Sequence, residues 1–329
     1  MFNTLLIALA SSSPAAPAQV DAITFEPWAR EHGRSLNSID FGMDYDRIAR
    51  RDASFVVTGS QDGTAIVWDL GMKKVRHKLV HAQEVTAAKL MVNQVRVSPE
   101  GRRVAVVGAD GRLTIWDSRT GAKIHDLQQH TGRISDVNWS GDGNKLATCC
   151  DNGKVVVWDS HSGAVLKQFA PDEGDIVLSA ITISPDGRTV VFSSRGNKAY
   201  FFNVDTGARF NVIMDLAEEP MEIEFSPDGS QLAFAEANTL VIRNGLDGKK
   251  IRGFGGHAGD IRGLRWTRDG QRMFTAGDGG EVFEWNLRTS TAIAKGKVAQ
   301  YCNDVAICMV GGLEKVAVAK PAGIFELQK

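Results

Sequence analysis

Two groups of residues in the chain have the composition of a catalytic triad, which combines a hydroxyl nucleophile, a histidine base and an aspartate. They are His32, Thr58 and Asp62 in one group, and His257, Thr275 and Asp278 in the other. In many hydrolases the nucleophile is held on an exposed turn, whereas both threonines here lie within apolar segments that read as strands. We therefore predict no catalytic residue in either group.

Other motifs that could carry chemistry are weak. The run Asp44–Asp46 holds two carboxylates, but the three arginines that follow it supply no oxygen ligand for calcium, so we expect an exposed loop there. The four cysteines show neither zinc-ligand spacing nor a disulfide framework, and we expect free thiols. The sequence thus predicts no metal site and no cofactor.

Composition narrows the class of protein further. The chain has 329 residues, with 38 Lys and Arg against 39 Asp and Glu, so its formal net charge is −1. This balance argues against a polycationic nucleic-acid binder, because such proteins neutralise many phosphates. We also find no apolar run of the roughly 18–20 residues that a transmembrane helix needs.

The elements that would position these residues belong to an internal repeat. One marker residue returns at intervals of 40 to 48 residues, as Trp68, Trp116, Trp158, Phe202, Arg243, Trp285 and Phe325. A second series consists of Phe41, Val97, Trp139, Ile183, Phe225, Trp266 and Ile307. From the second repeat onward, each member of the second series lies 18 or 19 residues before its partner in the first. Both series indicate seven repeats.

Each repeat reads as four short strands without helical periodicity. In residues 134–169, four apolar runs are separated by Ser-Gly-Asp-Gly, Asp-Asn-Gly and Ser-His-Ser-Gly. Asp-Gly and Asn-Gly supply the positive φ angles that tight hairpin turns require. Related turns return at Ser98–Gly101, Ser184–Gly187, Ser226–Gly229 and Thr267–Gly270. The sequence therefore predicts an all-β fold.

Four-stranded units of this length with recurrent Trp-Asp pairs resemble the WD40 repeat family, of a bacterial type on account of the Ser-Pro-Asp-Gly turns. The resemblance implies a single domain over residues 19–329, folded as a seven-bladed β-propeller. It also implies that an N-terminal strand, Ala22–Trp28, pairs into the last blade and closes the ring, which removes two exposed sheet edges.

The resemblance also assigns a role to the triad-like groups, as hydrogen-bonded sets inside the blades. The implied sets are His32, Thr58, Asp62 and Trp68; His130, Thr148 and Trp158; and His257, Thr275, Asp278 and Trp285. In the second repeat, His81, Asp110 and Trp116 are present, but Val107 interrupts the set. The fourth, fifth and seventh repeats lack most of it.

Residues 1–18 carry a short apolar run and end in Ala-Pro-Ala, which is typical of a secretory signal and its cleavage site. No lysine or arginine precedes the run, so a disordered N-terminal tail stays open as the alternative. A cleaved signal favours export to the periplasm, and a retained tail favours the cytoplasm.

We predict a non-catalytic, monomeric scaffold that binds a protein or peptide. The expected surface is formed by the loops between repeats and by the turns between second and third strands, where charges are divided. The candidate residues are Arg34, Arg133 and Arg262 on one side, and Asp175, Glu219 and Glu236 on the other. An enzyme, or a small-molecule or metal site, in the central channel is the alternative. It is disfavoured because inner-strand stretches such as Val137–Trp139 and Ile223–Phe225 promise little polar lining.

Two insertions mark further candidate surfaces, because loop insertions on a rigid scaffold often carry function. Residues Gly42–Ser54 lengthen the first repeat on the opposite face, and residues His81–Val95 lengthen the second. Neutral variation in length is the alternative for both.

Overall fold

The computed structural model describes residues 21–28, 31–46, 51–82, 90–171, 177–298, 301–310, 313–320 and 323–328. These residues form 28 β-strands, and no helix occurs among them. None of them therefore belongs to a helix that could span a membrane. The predicted all-β fold is confirmed, whereas the predictions for residues 1–18 lie outside the described residues.

Five sheets contain four antiparallel strands each, in chain order. The first three comprise β2 (Leu36–Asp46), β3 (Arg51–Ser60), β4 (Thr64–Asp69) and β5 (Lys74–Val80); β6 (Val92–Val97), β7 (Arg103–Gly108), β8 (Arg112–Asp117) and β9 (Lys123–Gln128); and β10 (Ile134–Trp139), β11 (Lys145–Cys150), β12 (Val155–Asp159) and β13 (Val165–Phe169). The other two comprise β14 (Leu178–Ile183), β15 (Thr189–Ser194), β16 (Lys198–Asn203) and β17 (Arg209–Ile213); and β18 (Pro220–Phe225), β19 (Gln231–Glu236), β20 (Thr239–Asn244) and β21 (Lys250–Gly255).

The sixth sheet has eight strands and replaces two of the seven separate sheets expected. Its members are β1 (Asp21–Trp28), β22 (Ile261–Trp266), β23 (Arg272–Gly277), β24 (Glu281–Asn286), β25 (Thr291–Lys297), β26 (Asp304–Val310), β27 (Leu313–Lys320) and β28 (Gly323–Gln328). Strand β1 pairs antiparallel with β28 on one side and parallel with β25 on the other. Because β1 is bonded on both sides, the last two strand groups merge, and the described strands form six sheets rather than seven.

The inner strands stand around a common axis. Strand β2 lies beside β6, and the neighbours continue through β10, β14, β18, β22 and β26, which lies beside β2 again. Adjacent sheets share apolar cores; for example, Val157 of β12 and Ile181 of β14 belong to one buried cluster. Because buried side chains fill the space between radially arranged sheets, the molecule is an all-β propeller.

The Asp-Gly turns form as the sequence predicts. In the turn Ser184–Gly187, the Gly187 N–H donates to Ser184 O over 2.8 Å, and the Ser184 hydroxyl donates to Asp186 Oδ1 over 2.5 Å. Gly187 has a φ of 68°, in the left-handed region that glycine adopts without a Cβ penalty. Turns of this kind join the inner strands β6, β10, β14, β18 and β22 to the second strands of their sheets.

The insertion Gly42–Ser54 is an extension of the β2–β3 hairpin, and the expectation of a loop over Asp44–Asp46 is wrong. The ladder continues from Gly42, which pairs with Phe55, to Asp46, which pairs with Arg51. The hairpin fits closely, because a Cβ on Gly42 would lie 2.1 Å from the Phe55 ring. Continued strand pairing therefore satisfies the backbone that a loop would have exposed.

Three cysteines, Cys149, Cys150 and Cys302, are buried free thiols, as expected. Burial raises the pKa of the Cys302 thiol to about 12. Such thiols pack as small apolar side chains and stay protonated near neutral pH.

Candidate functional site

The loops between successive sheets and the turns between second and third strands lie at the same end of the ring. Backbone hydrogen bonds join them: Asp151 N donates to Arg133 O over 3.0 Å, and Asp278 N donates to Asp260 O over 2.9 Å. We call this end the top face. The opposite end, the bottom face, holds the other two kinds of turn in each sheet.

In the first repeat, the four implied residues form one hydrogen-bonded set. His32 Nε2 lies 2.8 Å from Thr58 Oγ1, and Trp68 Nε1 donates to the same hydroxyl over 2.8 Å. His32 Nδ1 lies 3.3 Å from Asp62 Oδ2. One proton arrangement satisfies all three contacts: the indole donates to Thr58, Thr58 donates to Nε2, and Nδ1–H donates to Asp62. Burial lowers the pKa of His32, although Asp62 opposes this effect.

The third and sixth repeats reproduce the hydroxyl part of the set. His130 Nε2 lies 2.8 Å from Thr148 Oγ1, and Trp158 Nε1 donates to that hydroxyl over 2.9 Å. His257 Nε2 lies 2.7 Å from Thr275 Oγ1, and Trp285 Nε1 donates to it over 2.8 Å.

The aspartate part of the set is absent from both of these repeats within the described residues. Neither His130 Nδ1 nor His257 Nδ1 has a hydrogen-bond partner among the residues that the structure describes. Burial accordingly lowers the pKa of each imidazole to about 4. Asp278, expected beside His257, instead accepts hydrogen bonds from Arg262 Nε and Nη2 over 3.0 Å and 2.7 Å.

The second repeat also has a complete set, and the predicted interruption at Val107 is wrong. In the third repeat, Thr148 pairs across the ladder with Val156, which lies two residues before the tryptophan. The equivalent position in the second repeat is Val106. The partner of Val106 across the ladder is Thr114, and its hydroxyl lies 2.8 Å from His81 Nδ1. Trp116 Nε1 donates to it over 2.8 Å. The hydroxyl has therefore moved to the neighbouring strand, which counting along the ladder could have revealed.

The fifth repeat replaces the set by a buried ion pair. Arg243 stands where other repeats have tryptophan, and its Nη2 lies 3.2 Å from Glu236 Oε1. The other carboxylate oxygen accepts a hydrogen bond from Ala217 N over 3.1 Å. Glu236 is 4% exposed and Arg243 is 3% exposed. Glu236, a predicted partner-binding residue, therefore lies inside the protein and stabilises the fifth sheet.

In all four hydroxyl sets the oxygen is inaccessible. Thr58, Thr114, Thr148 and Thr275 are each 0% exposed. A nucleophile must reach the reacting atom of a substrate. These sets therefore satisfy buried polar groups inside the sheets and cannot act as hydrolytic triads.

The remaining candidate residues occupy the top face in different environments. Arg34 is exposed and forms no ion pair with any residue that the structure describes. Arg133 is exposed, with its Nε 3.8 Å from Asp151 Oδ2, whereas Arg262 is held by Asp278. Glu219 is half-buried and accepts a hydrogen bond from the Ser179 hydroxyl. Asp175 lies outside the described residues.

The interior of the ring is charged, which contradicts the expectation of little polar lining. Each charged residue lies one or three positions before a member of the second marker series, on an inner strand. The residues are Asp40, Arg96, Asp136, Glu222, Glu224, Arg265 and Asp304. This spacing could have been found in the sequence, because the second marker series has one member on every inner strand.

The two arginines meet one carboxylate inside the ring. Arg265 Nη1 lies 2.5 Å from Glu222 Oε1, and Arg96 Nη2 contacts the same oxygen. Asp304 lies 3.5 Å from each guanidinium. All four residues are at most 7% exposed. Because they come from β6, β18, β22 and β26, their contacts bridge the central channel and occupy it.

The carboxylates also bind the backbone of the next inner strand. Asp40 Oδ2 accepts from Val97 N over 2.7 Å, and Asp136 Oδ2 accepts from Ile181 N over 3.0 Å. Glu222 Oε2 accepts from Leu264 N over 3.1 Å. These bonds satisfy backbone donors at the inner edges of the sheets, which have no further strand to pair with.

Burial raises the pKa values of these acids although the arginines oppose it. The pKa of Glu222 is raised to about 7 and that of Glu224 to about 8. The pKa values of Asp40 and Asp136 are raised by the same cause. No group of three or more His, Cys, Asp or Glu side chains within the described ranges has the geometry to hold a metal ion.

The fold and the recurrent sets define a protein built from WD40 repeats. The family model for the WD domain, G-beta repeat, matches residues 30–69, 78–117, 121–159 and 248–286. The chain therefore contains WD40 repeats of this family.

Similar curated proteins carry the same repeats. The chain is 24% identical over 247 residues to WD repeat-containing protein 1 of Xenopus tropicalis, which covers 73% of this chain and 33% of that protein. It is 24% identical to WD repeat-containing protein SL1-17 of Schistosoma mansoni, over 72% of this chain and 63% of that protein. It is 21% identical to a guanine nucleotide-binding protein subunit beta of Oryza sativa subsp. japonica, over 58% and 54%. The chain thus spans between one third and two thirds of these relatives.

Proposed function

We propose that the protein is a non-catalytic scaffold that binds a protein or peptide partner on its top face. The observation that carries this proposal is the division between satisfied and unsatisfied polar groups. The triad-like hydroxyls are buried and hydrogen-bonded, whereas Arg34 and Arg133 project from the top face with little or no charge neutralisation. A relative that is by name a subunit of a guanine nucleotide-binding protein agrees with a role in protein assembly.

The binding surface in this proposal comprises Arg34 and Arg133 with Arg262, faced by Glu219 and Asp175. Arg262 contributes less net charge because Asp278 binds its guanidinium directly. A partner with an acidic segment near the two exposed arginines would be attracted by complementary charge. A monomeric state and a bacterial type of repeat stay predictions.

The proposed scaffold is a seven-bladed ring, closed by the N-terminal strand. Two observations support this. Seven inner strands are neighbours in a closed cycle, and the eight-stranded sheet divides at β1 into β22–β25 and a second group of β26, β27, β28 and β1. The parallel contact between β1 and β25 spans three residue pairs, whereas the antiparallel contact with β28 spans five. We therefore assign β1 to the last blade.

The alternative function, an enzyme or a ligand site within the central channel, is less well supported. The contacts of Arg96 and Arg265 with Glu222 cross the channel. A substrate there would have to separate a buried ion cluster, and uncompensated buried charges are strongly destabilising.

The proposal is tested by affinity capture from a native lysate with full-length protein. The test variant is Arg34→Glu/Arg133→Glu, and the matched control is Arg119→Glu/Arg188→Glu, which makes the same charge change at exposed bottom-face positions. We expect the wild type and the control to retain a partner that the test variant loses, with equal thermal melting of all three proteins. Retention by both variants would contradict the top-face assignment and point to the β2–β3 hairpin. Absence of any partner would contradict the scaffold.

A further inference from the structure

The bottom end of the ring opens into a cavity of about 930 Å³. Its wall includes an aromatic residue from each of four inner strands: Phe41 of β2, Trp139 of β10, Phe225 of β18 and Trp266 of β22. These are members of the second marker series, so the repeat itself places large apolar side chains around the opening. A volume of this size falls within the range of ligand sites, which are mostly apolar with a few placed polar groups.

The cavity has a polar floor. Asn138, Thr182 and Glu224 also line it, each one position before a member of the second marker series. One carboxyl oxygen of Glu224, Oε2, accepts a hydrogen bond from Trp266 N over 3.2 Å. The other, Oε1, accepts none from any residue that the structure describes. Glu224 is half-buried by surface area, and it therefore presents an acidic group to the cavity, whereas the other lining acid, Asp269, is exposed.

The charge inside the ring is unbalanced. The charged residues named above inside the ring comprise five carboxyl groups, those of Asp40, Asp136, Glu222, Glu224 and Asp304, and two guanidinium groups, those of Arg96 and Arg265. Glu222 and Asp304 take up the contacts of both arginines. Glu224 makes no ion pair with either arginine, and of these five acids it is the one that lines the cavity. A cation entering from the bottom face would reduce this imbalance.

The charged residues at the rim of the cavity do not oppose the entry of a cation. Arg272 contacts Glu284, and Arg268 is exposed to solvent beside the exposed Asp269. Rim charges of both signs in water are screened within about 8–10 Å at physiological salt. The carboxyl group of Glu224, rather than the exposed rim charges, therefore determines which ligand charge the cavity favours.

We infer that the bottom cavity binds an alkylammonium group, with Glu224 as its counter-ion and the aromatic side chains of the inner strands as its wall. Aromatic rings attract cations through their π-electrons, and a carboxylate within the same enclosure adds a charge-assisted hydrogen bond. The group can belong to a small amine or to a lysine side chain of a partner protein. This inference goes beyond the proposed top-face function and does not depend on it.

Titration calorimetry on the full chain, at a pH above about 8 where the Glu224 carboxyl is ionised, tests the inference with two cations and their uncharged counterparts. The probes are n-butylammonium against n-butanol, and the peptide acetyl-Gly-Lys-Gly-amide against the same peptide with norleucine. We expect both uncharged probes to bind at least about tenfold more weakly, because a hydrogen bond to a charged group contributes roughly 1.5–3 kcal/mol. Binding of n-butylammonium alone would identify a small amine as the source, and binding of both cations would include lysine side chains.

Two variants locate the site. Glu224→Gln keeps the size of the side chain and an acceptor for Trp266 N, and it should weaken cation binding at least about tenfold. Glu100→Gln, which changes a bottom-face acid outside the cavity lining, should leave binding unchanged. Equal binding of cations and uncharged probes, or unchanged binding to Glu224→Gln, would overturn the inference.

A measurement on the wild type keeps the inference testable if Glu224→Gln fails to fold. Because burial raises the pKa of Glu224 to about 8, most of the carboxyl is protonated at pH 7. Cation binding should then release a proton, and the affinity should rise with pH up to about 8. Calorimetry in buffers of different ionisation enthalpy reports that proton, and equal binding of cations and uncharged probes across this pH range would overturn the inference. The variant Arg34→Glu/Arg133→Glu should bind n-butylammonium normally, which separates this site from the top face.

Discussion

Replacing Thr114 by valine removes one hydroxyl and leaves two buried groups without a partner. Thr114 Oγ1 lies 2.8 Å from both His81 Nδ1 and Trp116 Nε1, and the threonine is 0% exposed. Each buried polar group left unsatisfied costs about 1–3 kcal/mol, so we expect a loss of about 3 kcal/mol in the free energy of unfolding. At about 2–4 °C per kcal/mol, this corresponds to roughly 6–12 °C in Tm.

A second substitution makes the test specific to the hydroxyl. Val106 pairs with Thr114 across the ladder and occupies the position that Thr58, Thr148 and Thr275 hold in other repeats. We expect Val106→Thr to recover more than half of the loss when it is combined with Thr114→Val, with His81 turned so that Nε2 meets the new hydroxyl.

Urea unfolding of the two single variants and the double variant gives the coupling free energy, which should favour the double variant by at least about 1 kcal/mol. Thr291→Val serves as the control, because it removes an exposed hydroxyl whose hydrogen bond joins two exposed threonines. Additive effects of Val106→Thr and Thr114→Val would refute the interpretation that the hydroxyl can be supplied from either strand.

Three further predictions concern other parts of the fold. Glu236→Gln should lower the free energy of unfolding by about 3 kcal/mol, because it leaves the buried Arg243 without its carboxylate; the control Glu218→Gln, at an exposed position, should not. Because burial lowers the pKa of His257 to about 4, the unfolded state takes up a proton first, and stability from this residue is lost as pH falls from about 6.5 to 4. The wild type should therefore lose about 3 kcal/mol more than His257→Gln over that interval in urea midpoint measurements. Deletion of residues 20–29 should leave an aggregating or unfolded protein, because it removes a strand bonded on both sides.

Each of these predictions has a contrary outcome. Equal stability of Glu236→Gln and Glu218→Gln would mean that solvent or Asp215, 3.7 Å from Arg243 Nη1, satisfies the guanidinium. Identical pH dependence of the wild type and His257→Gln would show that the imidazole is solvated in the folded state. A soluble deletion variant with a cooperative melt would refute the role of β1 in the ring.

The repeat could be predicted from the sequence because its signals are local. Asp-Gly turns, alternating apolar residues and the Trp-Asp pairs all act within a few residues, and they defined the all-β fold. The charges inside the ring escaped the prediction for the opposite reason. Arg96 and Glu222 are 126 residues apart, and their contact exists only once the inner strands have been brought around one axis.

The candidate site was predictable to a smaller extent. Sequence position alone placed Glu236 on the same surface as Arg34, but burial depends on the partner, and Arg243 draws the carboxylate inside. The hydroxyl of Thr114 was missed because strand register, rather than chain order, decides which side chains meet. The sequence carries no signal for the parallel pairing of β1 with β25, which joins two strand groups into one sheet. Such pairing at a sheet edge requires only backbone groups.

The double pairing of β1 sets a condition on the biosynthesis of the molecule. Its antiparallel partner β28 lies about 300 residues further along the chain, and at ~5–20 residues per second a ribosome needs roughly 15–60 s to make that length. The sheets between them contain only neighbouring strands and can form as the nascent chain emerges, whereas β1 must wait with both of its edges unpaired. Such an edge readily pairs with strands of other chains. The nascent chain thus passes through a long interval in which the edges of β1 are unpaired. Whether this strand is kept from pairing with other chains during that time determines whether the ring is completed or the chain aggregates.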